Sequence, residues 1–173
     1  MTEMHTTCYT AADVWRLLEN VTDPEIPVLS VVDLGIIRHV HVRDEYGGQH
    51  VQVTLTPTYS GCPAMDMIAA NIRIELMMAG FRTVEIVNQL SPAWTTDWMS
   101  ESGKQKLTEY GIAPPIEKVA ACASAEVNEQ LGVQCPRCGS YHTHAISHFG
   151  STACKALFQC DDCLEPFDYF KCH

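Results

Sequence analysis

Two pairs of cysteines carry the strongest chemical signal: Cys135-Pro136-Arg137-Cys138 and, after residues 139–159, Cys160-Asp161-Asp162-Cys163. Two Cys-x-x-Cys knuckles near this separation are the pattern of a zinc ribbon, in which each knuckle presents two thiolates and the four complete a tetrahedron. Zinc is the expected metal; four thiolates also suit mononuclear iron or an iron–sulfur cluster, and spacing does not choose among them. A module of about 40 residues has too small a core to fold reliably alone, so metal binding should supply much of its folding free energy. Cys154, beside Lys155, reads as a second thiolate or an extra ligand, with buried strand packing the plainer account. His142, His144 and His148 are expected on ribbon strands without metal, because the knuckles already fill the coordination sphere. Cys172 and His173 have no assignment from spacing.

A cysteine of another kind stands in Thr56-Pro57-Thr58-Tyr59-Ser60-Gly61-Cys62-Pro63-Ala64. Val51, Val53 and Leu55 alternate with Gln52 and Thr54 as in a half-buried strand, whereas Ile68, Ile72 and Leu76 recur at helical spacing. Pro63 suits a first helical position, which puts Cys62 just before the first turn. Sulfur at such a place faces free N–H groups and the positive end of a helix, an environment that favours an anion. Gly61 lets the backbone approach whatever the sulfur binds. The chemistry is that of a reactive or metal-binding thiol; the alternative is a small buried residue that packs like alanine. Asp23-Pro24-Glu25-Ile26-Pro27 holds two carboxylates in a loop stiffened by two prolines, and for Asp23 and Asp33 turn and capping duty is the plainer reading. His39 and His41 share one strand face, opposite Val40 and Val42. They are the nearest candidates for a base beside Cys62, but no convincing triad or resolving cysteine accompanies them.

Thr10 and Asp13 mark a helix start, followed by Val14, Leu17, Leu18 and Val21 at helical spacing. Ile36 to Asp44 alternates as a strand, Gly47-Gly48 supplies a turn, and the strand that leads to Cys62 returns antiparallel. Gly80 stops the next helix, and Thr83 to Val87 forms a third strand that a right-handed crossover sets parallel to its predecessor. The expected fold class is α+β: a small α-β-β-α-β domain with a three-stranded mixed sheet, then a zinc-ribbon-like module. The domain is placed at residues 1–112, a linker containing Cys122 at 113–131, and the module at 132–173. Met65, Met67, Met77 and Met78 on or beside the second helix read as core filling ahead of a soft docking surface. Trp94 and Trp98, four apart, would share a helical face, as partner anchors or as a closure of the core. Lys104 to Tyr110 reads as a short helix that ends at Gly111.

The 173 residues, 46% hydrophobic and 18% charged, suffice for one domain with a real core plus a small module. Met1 to Thr10 lacks the pattern of an export signal, and no stretch approaches the roughly 20 apolar residues of a membrane span, so a cytoplasmic protein without membrane contact is expected. Nine cysteines, an odd count, then point to metal or thiol chemistry instead of a disulfide framework. A formal net charge of -10 argues against nucleic acid as partner.

Asp23-Pro24-Glu25-Ile26-Pro27, Asp33-Leu34-Gly35 and the Thr58 to Ala64 turn resemble the small α/β family that assists iron–sulfur cluster assembly. With Pro92 to Met99, Tyr110 to Pro115, Phe149 to Leu157 and Glu165 to Cys172 added, nearly the whole chain resembles the D-subunit family of bacterial phenylacetyl-CoA epoxidases, which serve aerobic phenylacetate degradation. The resemblance implies an accessory or maturation subunit of a multicomponent monooxygenase, in which a di-iron oxygenase subunit and a flavin and iron–sulfur reductase perform the chemistry. Those subunits are the implied partners and clients. The family's reactive cysteine falls on Cys62, as the holder of transient iron or an iron–sulfur cluster, and its acidic loop on Asp23 and Glu25. The ribbon ligands fall on Cys135, Cys138, Cys160 and Cys163. Beside this stand a structural zinc-binding adaptor that docks through Trp94 and Trp98 and, less favoured, a cysteine-based enzyme in its own right. The open edge of a three-stranded sheet also offers a route to a homodimer.

Overall fold

The computed structural model describes residues 8–45, 48–116 and 132–171. They form two compact units that divide after Ala93, each with its own sheet.

The first unit begins with α1 (Ala11–Leu18), closed by a capping box: the Thr10 hydroxyl accepts from the Asp13 N–H, and the Asp13 carboxylate accepts from the Thr10 N–H at 2.9 Å. Val14 and Leu18 are buried. Strands β1 (Ile37–Glu45) and β2 (Gly48–Leu55) pair antiparallel, and β3 (Thr83–Asn88) runs parallel to β2, in the order β1-β2-β3. This is the mixed sheet that the alternation predicts. The crossover from β2 to β3 is α2 (Ala64–Met78), which buries Ala64, Ile68, Ile72 and Leu76. Its end is a Schellman motif: Phe81 N–H donates to Leu76 C=O at 3.1 Å and Gly80 N–H to Met77 C=O at 3.0 Å, with Gly80 at φ +106. Phe81, the residue after Gly80, is buried.

The methionines correct the expectation of core filling. Met67, Met77 and Met78 are 56%, 59% and 81% exposed, and Met65 is half-buried. An i, i+4 stripe from Ala64 to Leu76 already occupies the sheet-facing side, which turns positions 67, 77 and 78 outward.

The second unit contains α3 (Glu101–Tyr110), capped by the Ser100 hydroxyl, which accepts from the Gly103 N–H at 2.9 Å. Gly111, at φ +94, ends it. Strands β4 (Ile112–Ala113), β5 (Thr143–Ser147), β6 (Lys155–Cys160) and β7 (Pro166–Phe170) form a sheet in the order β4-β7-β6-β5. The division therefore differs from a domain that ends at 112 and a linker that begins at 113. Ile112 and Ala113 pair with Asp168 and Tyr169, and Trp94 packs edge-on against Phe170 at 6.2 Å, so residues 94–113 complete the second unit. Trp94, 3% exposed, is core; Trp98 is half-buried in a single 3-10 turn (Thr96–Trp98), too short to give the two rings a common helical face. Cys122, most of the expected linker, Cys172 and His173 lie outside the described residues. Among the described residues no helix is long and apolar enough to cross a membrane.

Burial of one face of α2 predicts unequal costs along that helix. Ile72→Ala should destabilise the first unit by about 2–5 kcal/mol, whereas Met78→Ala should stay within about 0.5 kcal/mol; urea unfolding of the two variants measures both.

Candidate functional site

Each knuckle is a tight turn fastened by the same two backbone bonds. In the first, Gly139 N–H donates to Cys135 C=O at 2.9 Å and Cys135 N–H to Ser140 C=O at 2.8 Å; in the second, Leu164 N–H donates to Cys160 C=O at 3.0 Å and Cys160 N–H to Glu165 C=O at 3.1 Å. The residue after each knuckle turns left-handed, Gly139 at φ +76 and Leu164 at φ +62. Leucine bears a cost of roughly 1 kcal/mol in that region, which the knuckle fold must offset. The part of Leu164 was legible only by superposing the two knuckles, since nothing in its own residue type announces it.

The turns aim four sulfurs at one point. The Sγ atoms of Cys135, Cys138, Cys160 and Cys163 lie within 4.8 Å of one another, with Cys135–Cys163 at 3.8 Å and Cys138–Cys160 at 3.5 Å. A tetrahedral ion with bonds of about 2.3 Å to sulfur sets its thiolates about 3.8 Å apart, so the spacing fits a four-thiolate metal centre. The electrostatics fit as well. Backbone N–H donors from Cys163 and Asp162, with the thiols of Cys138 and Cys163, bring Cys160 down to about 7. Cys138 is pushed up to about 12: the Ser140 N–H would lower it, but Cys160, desolvation, Cys163 and Cys135 together prevail. Neighbouring sulfurs resist joint ionisation, and a bound cation removes that conflict.

His142 and His144 pair with the carboxylates of the second knuckle. His144 Nδ1 lies 2.8 Å from Asp161 and His142 Nδ1 3.3 Å from Asp162, and the Ser140 hydroxyl also donates to Asp162. That hydroxyl, then His142, holds the Asp162 carboxyl below its ordinary range. Lys155, expected beside Cys154, turns instead to Asp168 at 3.3 Å with its side chain 5% exposed. The Ser151 hydroxyl donates to the same carboxylate at 2.9 Å, and Gly150 packs so closely that a Cβ there would collide with it. Cys154 is buried as expected, with the Thr152 hydroxyl 3.0 Å away, but in the turn that precedes β6 and not on a strand.

Cys62 has a different setting. The cap of α2 falls on Pro63, one residue later than the sequence reading, and no side chain closes that end of the helix. Cys62 C=O accepts from the Met65 N–H at 3.3 Å, and its half-buried sulfur follows Gly61, at φ +83 with open space where a Cβ would stand. The acidic loop does not complete a ligand set around it. Asp23 Oδ1 already accepts from the N–H groups of Glu25 and Ile26 at 2.7 and 2.8 Å, and Asp33 likewise engages Ser30. Among the described residues, the four ribbon cysteines are the one group of three or more His, Cys, Asp or Glu side chains placed to hold a metal.

Comparison with known proteins agrees with both halves. Residues 11–86 match the family described as iron-sulfur cluster assembly protein, and residues 120–171 the PaaD zinc beta ribbon domain. A crystal structure of a domain of unknown function, DUF59, from Bacillus anthracis aligns with a TM-score of 0.51 at 25% identity, over 56% of this chain and 90% of that one. Fold and cysteine site together define an iron–sulfur-assembly-type α+β domain joined to a four-cysteine ribbon. The chain is 39% identical over 99 residues to the Fe-S protein maturation auxiliary factor of Porphyromonas gingivalis, covering 57% of this chain and 90% of that protein. It is 50% identical over 160 residues, 92% of each chain, to an Escherichia coli protein described as the D component of 1,2-phenylacetyl-CoA epoxidase. The chain belongs to the family of phenylacetyl-CoA epoxidase D subunits.

Metal removal should divide the molecule. Cys160→Ser, or exhaustive chelation of the unaltered chain, should abolish amide-exchange protection in β5, β6 and β7 and leave that of β2 and α2 in place.

Proposed function

We propose that this chain is an accessory, maturation-type subunit of a 1,2-phenylacetyl-CoA epoxidase in aerobic phenylacetate degradation, acting in the cytoplasm. Zinc in the ribbon is structural, and Cys62 accepts iron or an iron–sulfur cluster as transient cargo for the oxygenase or reductase subunit. The observation that carries this reading is the contrast between the two sulfur environments. Four thiols within 4.8 Å form a closed site, and a closed site keeps its ion. Cys62 is a single half-buried sulfur at an uncapped helix start; one protein ligand leaves the rest of the coordination to the cargo and its recipient. The names borne by the two relatives, an epoxidase subunit and a maturation factor, support the same assignment.

Zinc, when bound, contributes the bonds that hold both knuckles, and β5, β6 and β7 then present one rigid surface to a client. In the first unit, Asp23 shapes the loop by holding the N–H groups of Glu25 and Ile26. A second reading, a structural zinc adaptor, gains from the lack of a three-ligand group around Cys62 among the described residues.

The experiment is metal and sulfide analysis of protein purified without oxygen, wild type beside Cys62→Ala, with epoxidase activity followed in iron-limited cells. We expect zinc in both proteins, labile iron with sulfide in the wild type alone, and reduced client activity with the variant. Zinc alone in both, with full activity from Cys62→Ala, overturns the carrier reading in favour of the adaptor.

A further inference from the structure

The sheet of the first unit has two unlike faces. Val51, Val53 and Leu55 of β2 point into the core, whereas His50, Gln52 and Thr54 line the other side. Register extends that second side across all three strands: His39 lies opposite Thr54 and then Val87, and His41 opposite Gln52 and then Glu85. His39 and His41 are both exposed, with ring centroids 6.3 Å apart and planes inclined by 27°.

Two imidazoles on alternate residues of a strand rise from the same face, which is the basic requirement of a chelate. Rings that share one ion at bonds of about 2.05 Å have centroids at most about 6.4 Å apart, and about 5.2 Å apart at a tetrahedral angle. Closure by about 1 Å therefore converts the observed pair into a chelating one, a movement within reach of exposed side-chain torsions. The next strand offers a third donor. Gln52 donates its NH2 to the Glu85 carboxylate at 2.7 Å; that contact fixes the amide's orientation and leaves its carbonyl oxygen available beside His41. Arg43 and Glu45 continue the same row of β1, and His50 is drawn to Glu85 at 3.6 Å and to Glu45 at 4.0 Å. The two carboxylates outnumber the guanidinium on this face, so its field does not repel a cation.

We propose that His39 and His41 form a second metal site, open to solvent, for a divalent transition-metal ion of the class that prefers imidazole nitrogen, with the Gln52 carbonyl as third donor and water in the remaining positions. The site is separate from the four-thiolate centre in ligand type and exchange rate: imidazole and water ligands release their ion readily, and the closed thiolate set does not. It stands independently of any role of Cys62.

The test uses the full chain with its ribbon loaded with zinc, titrated with Ni2+. Calorimetry reads affinity, and paramagnetic broadening of assigned NMR signals locates the ion. We expect one equivalent to broaden His39, His41, Gln52 and Thr54 first. An outer-shell partner is already worth about ten-fold in metal affinity, so loss of either imidazole in His39→Ala or His41→Ala should cost at least that much. His50→Gln should bind as the wild type does, and retained amide-exchange protection in β2 and α2 shows that the first unit of each variant is folded. Broadening centred elsewhere, or undiminished affinity in both alanine variants, overturns the proposal.

Discussion

Four sulfur atoms brought within 4.8 Å are the constraint on which the second unit depends. Two of them, in Cys135 and Cys160, belong to its hydrophobic core, packed with Val133, Ala156, Phe158, Phe167 and Tyr169. Metal binding and core formation are thus one event: a cation that relieves the crowded thiols also anchors the strands that carry the aromatic residues. The outer pairs, His144 with Asp161 and His142 with Asp162, brace the second knuckle against β5 from the solvent side. Lys155 and Asp168 do comparable work at the far end of β6 and β7, where a buried ammonium needs a carboxylate held in place by Ser151 and approached closely by Gly150.

The first unit solves a different problem, that of presenting one sulfur without enclosing it. A strand that ends at Leu55, a loop with Gly61 in a left-handed conformation and a helix that begins without a side-chain cap leave Cys62 on the border between core and solvent. The anchoring lies in the i, i+4 stripe of α2 below it and in the Schellman closure at Gly80. Rigidity of the scaffold and openness of the thiol are compatible because they come from opposite ends of the same loop–helix joint.

A single chain therefore carries cysteine in two chemical conditions. In the ribbon, four thiols converge within 4.8 Å of one another; Cys62 is half-buried at an uncapped helix start.

Much of this was legible in the sequence. The capping box at Thr10, the hairpin, the parallel third strand, the glycine stops at Gly80 and Gly111 and the four ribbon cysteines all follow from local rules: alternation, helical period, left-handed caps and ligand spacing. Other features needed the tertiary structure. Apolar residues on both sides of α2 left its period unable to say which side faces the sheet, and packing decided that Ile68, Ile72 and Leu76 go in while Met67, Met77 and Met78 stay out. Residues 94–113 looked like the tail of one domain and the start of a linker; a two-residue strand paired with β7 across more than fifty positions assigns them to the ribbon unit. The partner of Lys155 was likewise chosen by the diagonal neighbour on β7 and not by Cys154 beside it in the chain. The sequence by itself determined the backbone elements and the ligand types, because those depend on residues a few positions apart. Which faces are buried, which segment completes a sheet and which charges meet were decided only by tertiary structure, because each depends on register between strands that the chain brings together from a distance.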